Sequence, residues 1–251
     1  MDDFTTGFFY PFRFLKSFFA DKRLVRKAIV PVIINMIIYG TIFILTYRWI
    51  FLKTGEIANI GADASWWQYM LYVLILIFAF VVLTIICYFA YQIFGSIVSA
   101  SYNEKISQLT EEKITGEKLI LDYGFFKDFY LSTKSEIFKL LFYFSVMFII
   151  FIIGFLPLIG VIFSTVFGFL FTVFFNAFDF FDYPMARKLF TLNRKINITL
   201  RGRMFTFGFG LISFILMVTP FLNILMKPVL VFSGTSLYFE KIERKIPKVR
   251  S

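Results

Sequence analysis

Residues 140–178 read LLFYFSVMFIIFIIGFLPLIGVIFSTVFGFLFTVFFNAF, a stretch of 39 residues without a charged side chain. A single helix of this length would run about 58 Å, nearly twice the roughly 30 Å hydrocarbon thickness of a bilayer. The stretch is interrupted near its middle by GFLPLIG, where Pro157 removes a helix donor and Gly154 and Gly160 permit a tight reversal of the chain. The sequence therefore predicts a helical hairpin over residues 140–178.

A second interrupted apolar stretch, residues 204–239, contains TPFLNILMKP at residues 219–228. Pro220 and Pro228 interrupt helical hydrogen bonding there, so we predict a second hairpin. The arms of both hairpins hold about 16 to 18 apolar residues, close to the minimum of about 17 for crossing a bilayer. The arm lengths are therefore compatible with tilted spanning helices and with re-entrant hairpins. A polar turn inside the membrane must pack against protein or face water, because lipid cannot satisfy its backbone groups. Paired segments interrupted by Gly and Pro are typical of the substrate region of transporters.

Two longer apolar runs precede the hairpins. Residues 28–102 are predicted to hold two spanning helices, one over 28–50 and one that begins at the adjacent tryptophans Trp66 and Trp67. We expect the second helix to leave the membrane and to continue into residues 103–139, a charged amphipathic segment in the cytoplasm with Gly116 as a helix stop.

The N-terminal segment, residues 1–27, is predicted to form an amphipathic helix at the membrane interface, followed by a basic hinge. Pro11 is expected to bend this helix. No small-residue cleavage site follows a short apolar run, so we expect no cleaved signal peptide. The predicted apolar side of the helix comprises Phe4, Phe8, Phe12, Leu15 and Phe19.

The composition agrees with this pattern, since 59% of the residues are hydrophobic and 39 of the 251 residues are phenylalanine. We predict an all-α integral membrane protein with a single membrane domain, residues 1–251. It would consist of two long spanning helices, two Gly/Pro-broken helical hairpins and interfacial amphipathic helices. The chain has no histidine and one cysteine, Cys87, which excludes histidine metal sites, Ser-His-Asp triads and disulfides. We therefore expect no catalysis, no cofactor and no metal.

The net charge of +10 lies beside the apolar segments, which indicates membrane topology and lipid phosphates rather than nucleic acid as a partner. Basic residues outnumber acidic ones by six to three in residues 1–27, by six to two in 179–203 and by five to two in the tail 240–251. Two spans and two hairpins place these three segments on one side of the membrane. The positive-inside rule predicts that this side is cytoplasmic.

The basic hinge is the first candidate binding site. Lys22, Arg23, Arg26 and Lys27 lie where the first spanning helix begins, with Leu24 among them. Cations beside the free N–H groups of a helix N-terminus form a natural oxyanion site, because charge, dipole and hydrogen-bond donors act in the same direction. The alternative is that these cations bind lipid phosphates and anchor the end of the helix at the membrane surface.

The second candidate cluster lies in residues 179–203, which we predict to be a basic helix. Its arginines either form an electropositive mouth that concentrates anions or belong to an interfacial helix. In the interfacial alternative, Phe190 and Ile196 face lipid and the carboxylates of Asp179 and Asp182 are paired locally. The candidate mouth residues are Arg187, Arg194 and Arg201, which recur every seven residues and so fall near one face of a single helix, and Arg203.

Polar side chains within the apolar runs complete the candidates: Asn35, Gln92, Asn176 and Asn223. Each can hydrogen-bond a neighbouring helix or line an ion path, and packing between helices is the commoner role. We place Asn35 and Asn223 among the candidate path residues.

Four stretches resemble the family of the CysZ sulfate permeases and the etoposide-induced 2.4 proteins, in the order that the family shows. They are VPVIIN (30–35), SASYNEKISQL (99–109), FDYP (181–184), and RGRMFTFGFG with TPFLNILMKPVLVFSGT (201–210 and 219–235). The resemblance implies an α-helical inner-membrane protein that imports sulfate for cysteine synthesis, with two long spanning helices and partly inserted hairpins. It further implies a homo-oligomer, with sulfate or a related oxyanion and membrane lipids as partners.

The hinge departs from the family pattern at one position. Family members carry a Gly-Leu-Arg anion motif before a Pro-x-x-Ile-Asn segment, whereas this chain has Arg23, Leu24, Val25 and Arg26 there. The lost glycine removes a close backbone approach to the ion, and Arg23 adds a charge, so the choice of anion stays open. The leading hypothesis is an oxyanion permease. The alternative is a non-transporting membrane scaffold, which binds lipid or shapes the bilayer.

Overall fold

The structure is a computed structural model that describes residues 2–57, 65–117, 125–157, 159–188, 190–219 and 222–243. All regular secondary structure within these ranges is helical. The chain divides into two compact units, one drawn from residues 1–29 and 100–251 and the other from residues 30–99. The prediction of an all-α protein is confirmed.

Helix α1, Asp3–Ala20, is the predicted N-terminal helix, and Asp2 caps it by accepting a hydrogen bond from the backbone N–H of Thr5 at 2.8 Å. The side of α1 that packs against protein differs from the predicted apolar side. Phe4, Phe12 and Phe19 are all exposed, whereas the buried residues are Gly7, Tyr10, Pro11 and Phe18. Phe8 and Leu15 of the predicted apolar side are partly buried against the core, so that side is divided between protein and exposed surface.

Helices α2, Lys22–Ile57, and α3, Trp66–Thr115, are 36 and 50 residues long. Within the unit of residues 30–99 they run antiparallel, because Tyr39 of α2 donates to the carbonyl of Ala90 and Phe51 lies beside Tyr72, with ring centroids 6.0 Å apart. As predicted, α3 continues far beyond the apolar run. It ends at Gly116, whose φ of 73° is the left-handed conformation that glycine adopts at helix C-termini.

Helices α4, Phe125–Ile153, and α5, Gly160–Arg187, pack on each other and form the first predicted hairpin. The glycines of the turn are needed for close backbone approach, since a Cβ on Gly160 would lie 2.6 Å from the carbonyl oxygen of Gly154. The predicted apolar arms are parts of longer helices, since α4 has 29 residues and α5 has 28. Helix α5 continues through charged residues that are held by partners inside the protein, as described below.

Helices α6, Leu192–Arg201, and α7, Arg203–Val218, meet at Gly202 with a bend of 96°. Helix α8, Leu222–Leu237, packs on α7 as the second predicted hairpin and continues as a π-helical segment, Tyr238–Ile242. The predicted single basic helix over residues 179–203 is not present. Helix α5 ends at Arg187, and α6 begins after Thr191, whose backbone is extended (ψ 155°).

Glycines of α7 bring three helices into backbone contact. A Cβ on Gly208 would lie 2.1 Å from the carbonyl oxygen of Phe4 in α1, and a Cβ on Gly210 would lie 2.1 Å from the carbonyl oxygen of Val173 in α5. Small residues are what permits such close approach of membrane helices. The core of the larger unit accordingly forms where α1, α5, α7 and α8 meet.

Four helices within the described ranges are long and apolar enough to cross a membrane, or five if the bent pair α6 and α7 is one span. The four are Lys22–Glu56, Trp66–Ala90, Gly160–Arg187 and Leu222–Ile242. The chain is a multi-pass membrane protein.

Candidate functional site

The basic hinge begins directly at a helix junction. Helix α1 ends at Ala20, Asp21 is extended (ψ 100°), and α2 starts at Lys22. The Asp21 carboxylate accepts a hydrogen bond from the backbone N–H of Arg23 at 3.0 Å, and the Asp21 carbonyl accepts one from the N–H of Val25 at 3.1 Å. Asp21 therefore acts as the N-cap of α2.

The hinge cations and the hinge leucine point in different directions. Leu24 is buried, with 1% exposure, and Ala28 one turn later is buried as well. The four cations, Lys22, Arg23, Arg26 and Lys27, are exposed. Leu24 thus fixes the first turn of α2 against the protein core, and the cations surround the outer side of the same turns. The structure brings together all five predicted hinge residues.

One anion already lies at this helix N-terminus. The guanidinium of Arg23 contacts the Asp21 carboxylate at 3.3 Å, and the two side chains are 69% and 17% exposed. Partial desolvation raises the pKa of the Asp21 carboxyl, but hydrogen bonds from Arg23 and the nearby charges of Arg23 and Lys113 outweigh it, so the pKa lies below its ordinary value of 3.8. A diffusible oxyanion would meet a site that a carboxylate of the chain partly occupies.

Arg187 does not share a helix face with the other predicted mouth residues. Its guanidinium donates to Glu104 at 2.6 Å, to Glu111 at 2.5 Å and to Ser107 at 3.0 Å, all on α3. The side chain is only 7% exposed. The positive charge of Arg187 is therefore neutralised inside the protein, where it joins α5 to α3, and the prediction that it lies on one face with Arg194 and Arg201 is corrected.

Arg194, Arg201 and Arg203 lie at the surface, around α6 and the bend at Gly202. The guanidinium of Arg194 stacks on the ring of Phe190, 4.0 Å from its centroid. Phe190 and Ile196, expected to face lipid, instead pack partly against the core. The exposed arginines thus form a basic surface at a helix bend, distinct from the buried ion pair of Arg187.

The two candidate path residues of the apolar runs, Asn35 and Asn223, lie inside the protein. Asn35 is buried at 1% exposure and donates weakly to the carbonyl of Gly95 at 3.5 Å and to Ser99 at 3.4 Å. Asn176 donates at 2.8 Å to a carbonyl of its own helix. Asn223 is buried at the start of α8. The side chain of Gln92 lies outside the described residues.

Sequence reasoning missed the buried ion pairs of α5. Lys139 of α4 donates to Asp179 at 2.5 Å, and Lys195 of α6 donates to Asp182 at 2.6 Å. Asp179, Asp182 and Arg187 follow one another at three- and five-residue spacing on α5. Charged residues within an apolar helix were the available signal, since ionisable groups at such positions need internal partners.

Comparisons with known proteins agree with this architecture. The family model described as Sulfate transporter CysZ/Etoposide-induced protein 2.4 matches residues 10–228. The protein named Sulfate transporter CysZ from Pectobacterium atrosepticum is 29% identical over 238 residues, which is 89% of this chain and 83% of the relative. Proteins of the same name from Vibrio parahaemolyticus and Vibrio cholerae are 26% and 23% identical, over 88% and 85% of this chain and 89% and 85% of their own lengths. The chain therefore belongs to the family of the sulfate transporter CysZ and the etoposide-induced protein 2.4.

Proposed function

We propose that this protein is a sulfate or related oxyanion permease of the inner membrane, which supplies cysteine synthesis and works without catalysis as a homo-oligomer. The observation that carries the proposal is the placement of four exposed cations on the first two turns of α2, in a chain whose curated relatives are named sulfate transporters. A dianion is costly to place in hydrocarbon, so the route must be hydrated, and we place it at an interface between subunits.

In this proposal, the hinge captures the ion by an exchange of partners. Arg23 is held by Asp21, but its side chain is 69% exposed, and water and salt screen an ion pair of such a side chain. A doubly charged oxyanion can therefore compete for Arg23, with Arg26 and Lys27 on the adjacent turn as further contacts. Leu24 contributes by fixing the backbone of the turn rather than by touching the ion.

The exposed arginines at the α6 bend have a supporting role in the proposal. Arg194, Arg201 and Arg203 would raise the local anion concentration near the membrane surface, an effect that falls as salt increases. Neutralising these side chains should therefore slow capture at low ionic strength and matter little at high ionic strength.

Uptake of labelled sulfate into proteoliposomes tests the proposal. Arg23→Ala and Arg26→Ala should each reduce sulfate flux, because each removes a hinge cation. Lys53→Ala is the matched control, since Lys53 is an exposed cation on the same helix that pairs with Glu56. Sulfate flux through the wild-type protein no greater than that of empty vesicles would contradict the permease. In that case, saturable binding of anionic lipid without sulfate binding would support the scaffold alternative.

A further inference from the structure

A polar cleft separate from the hinge cations opens in the larger unit between α1, the end of α3, α8 and the π-helical segment. Its volume is about 380 Å³, which is the size of a small-molecule site. Phe14 and Phe232 form its apolar wall, with ring centroids 5.7 Å apart. Its polar lining consists of Ser17, Thr110, Lys113, Ser236, Glu240 and Lys241.

Two hydroxyl groups beside the cleft are satisfied within the protein. The hydroxyl of Thr110 donates to the carbonyl of Ile106 at 2.7 Å, and that of Ser236 donates to the carbonyl of Phe232 at 2.9 Å. Thr110 and Ser236 are 0% and 1% exposed, so a ligand in the cleft meets its charged side chains rather than these hydroxyls.

The charged groups of the cleft are of both signs. Lys113 lies 5.7 Å above the ring of Phe232 and donates to Ser17 at 3.4 Å, and Lys241 lines the same cleft. Glu240 accepts a hydrogen bond from the hydroxyl of Tyr10 at 2.6 Å, which holds the carboxylate in place. A carboxylate has about four lone-pair sites, so this single bond leaves Glu240 able to accept from an ammonium group.

We propose that this cleft binds a small zwitterion, whose oxyanion group pairs with Lys113 and Lys241 and whose ammonium group pairs with Glu240. A simple dianion fits less well, because it would face the Glu240 carboxylate. A simple cation fits less well for the opposite reason, since two lysines would repel it. The site is thus different in chemistry from the proposed sulfate site of the hinge, and it does not depend on transport.

Two sources can supply this chemistry. One is the headgroup of phosphatidylethanolamine in the surrounding membrane, and the other is a free amino acid in the aqueous phase. Both carry a primary ammonium group and an oxyanion a few bonds apart. Phosphatidylcholine is the informative counterpart, because its quaternary ammonium keeps the charge but has no N–H donor.

Binding to the full-length protein in detergent tests the proposal, with lipid adducts measured by native mass spectrometry and L-serine binding measured by calorimetry. We expect phosphatidylethanolamine or L-serine to bind, and phosphatidylcholine and phosphatidylglycerol to bind at least about tenfold more weakly, as the loss of a charge-assisted hydrogen bond implies. Retention of the lipid alone identifies the membrane as the source, and retention of L-serine alone identifies the aqueous phase.

Variants of each charged end make the test specific. Glu240→Gln keeps an acceptor for Tyr10 but removes the charge, and it should weaken binding about tenfold. The double variant Lys113→Ala/Lys241→Ala changes two exposed side chains, so it should fold normally and should also lose binding. Lys53→Ala and Glu56→Gln, an exposed pair outside the cleft, should bind as wild type. Failure of both zwitterions to bind, or wild-type binding by the folded double-lysine variant, would overturn the proposal.

Discussion

Replacing Arg187 by methionine separates two roles for this residue, a cation of an anion mouth and an internal ion-pair partner. The side chains of Arg187, Glu104 and Glu111 are 7%, 18% and 9% exposed, and the pairs are 2.6 and 2.5 Å long. Removing one partner of a buried ion pair leaves the other charge uncompensated, which costs about 3 to 5 kcal/mol. We expect Arg187→Met to lower the free energy of unfolding by about that amount.

The companion variant removes the whole charge cluster. In Arg187→Met/Glu104→Gln/Glu111→Gln no buried charge is left unpaired, and replacing buried ion pairs in this way is often neutral or stabilising. We expect the triple variant to recover most of the stability that Arg187→Met loses. Lys53→Ala, which breaks an exposed pair, should cost less than about 1 kcal/mol.

Equilibrium unfolding of the purified protein in mixed micelles, followed by circular dichroism, measures these differences. Sulfate binding is measured on the same samples. If Arg187→Met unfolds at the same denaturant midpoint as the wild type and binds sulfate more weakly, the ion-pair role is refuted. The interpretation of Arg187 as a cation of the anion mouth would then be supported.

Three further predictions concern the hinge and the helix packing. Asp21→Asn keeps an N-cap for α2 but removes the carboxylate that competes with sulfate for Arg23. Sulfate should therefore bind about fivefold more tightly in a calorimetric titration, the equivalent of about 1 kcal/mol. Equal or weaker sulfate binding would contradict the exchange of partners at Arg23. Gly208→Ala should destabilise the fold by about 1 to 3 kcal/mol or more in an unfolding assay, because its Cβ would lie 2.1 Å from the carbonyl oxygen of Phe4; Gly40→Ala, with open space around it, should be neutral or slightly stabilising. Sulfate affinity at the hinge should be constant between about pH 5.5 and 8, because the lowered pKa of Asp21 keeps its carboxylate charged throughout that range. The contribution of Asp21 to stability should be lost only as the pH falls below about 4. A clear change in sulfate affinity between about pH 5.5 and 8 would contradict this prediction.

The sequence was sufficient for features that depend on local pattern. The break at Gly154 and Pro157 and the stop at Gly116 both follow from the preferences of glycine and proline. Hinge residues are adjacent in the chain, so their joint location needed no tertiary information. These predictions agree with the structure because the backbone itself enforces them.

The sequence was insufficient where partners are distant in the chain. The seven-residue spacing of Arg187 and Arg194 predicted a shared face, but Arg187 pairs with Glu104 and Glu111, which lie 83 and 76 positions away. The sequence did not show which apolar residues of α1 pack on protein, for a related reason. Protein and lipid both accept phenylalanine, so hydrophobicity alone cannot tell the side that meets α7 from the side that meets the membrane.

The hinge and the zwitterion cleft are linked electrostatically through Lys113. This lysine lines the cleft, and its charge also helps to lower the pKa of Asp21 at the start of α2. An oxyanion group bound to Lys113 would offset that charge and make the potential around Asp21 and Arg23 less positive. Sulfate at the hinge would then bind more weakly while the cleft is occupied, and by linkage sulfate would weaken zwitterion binding by the same factor.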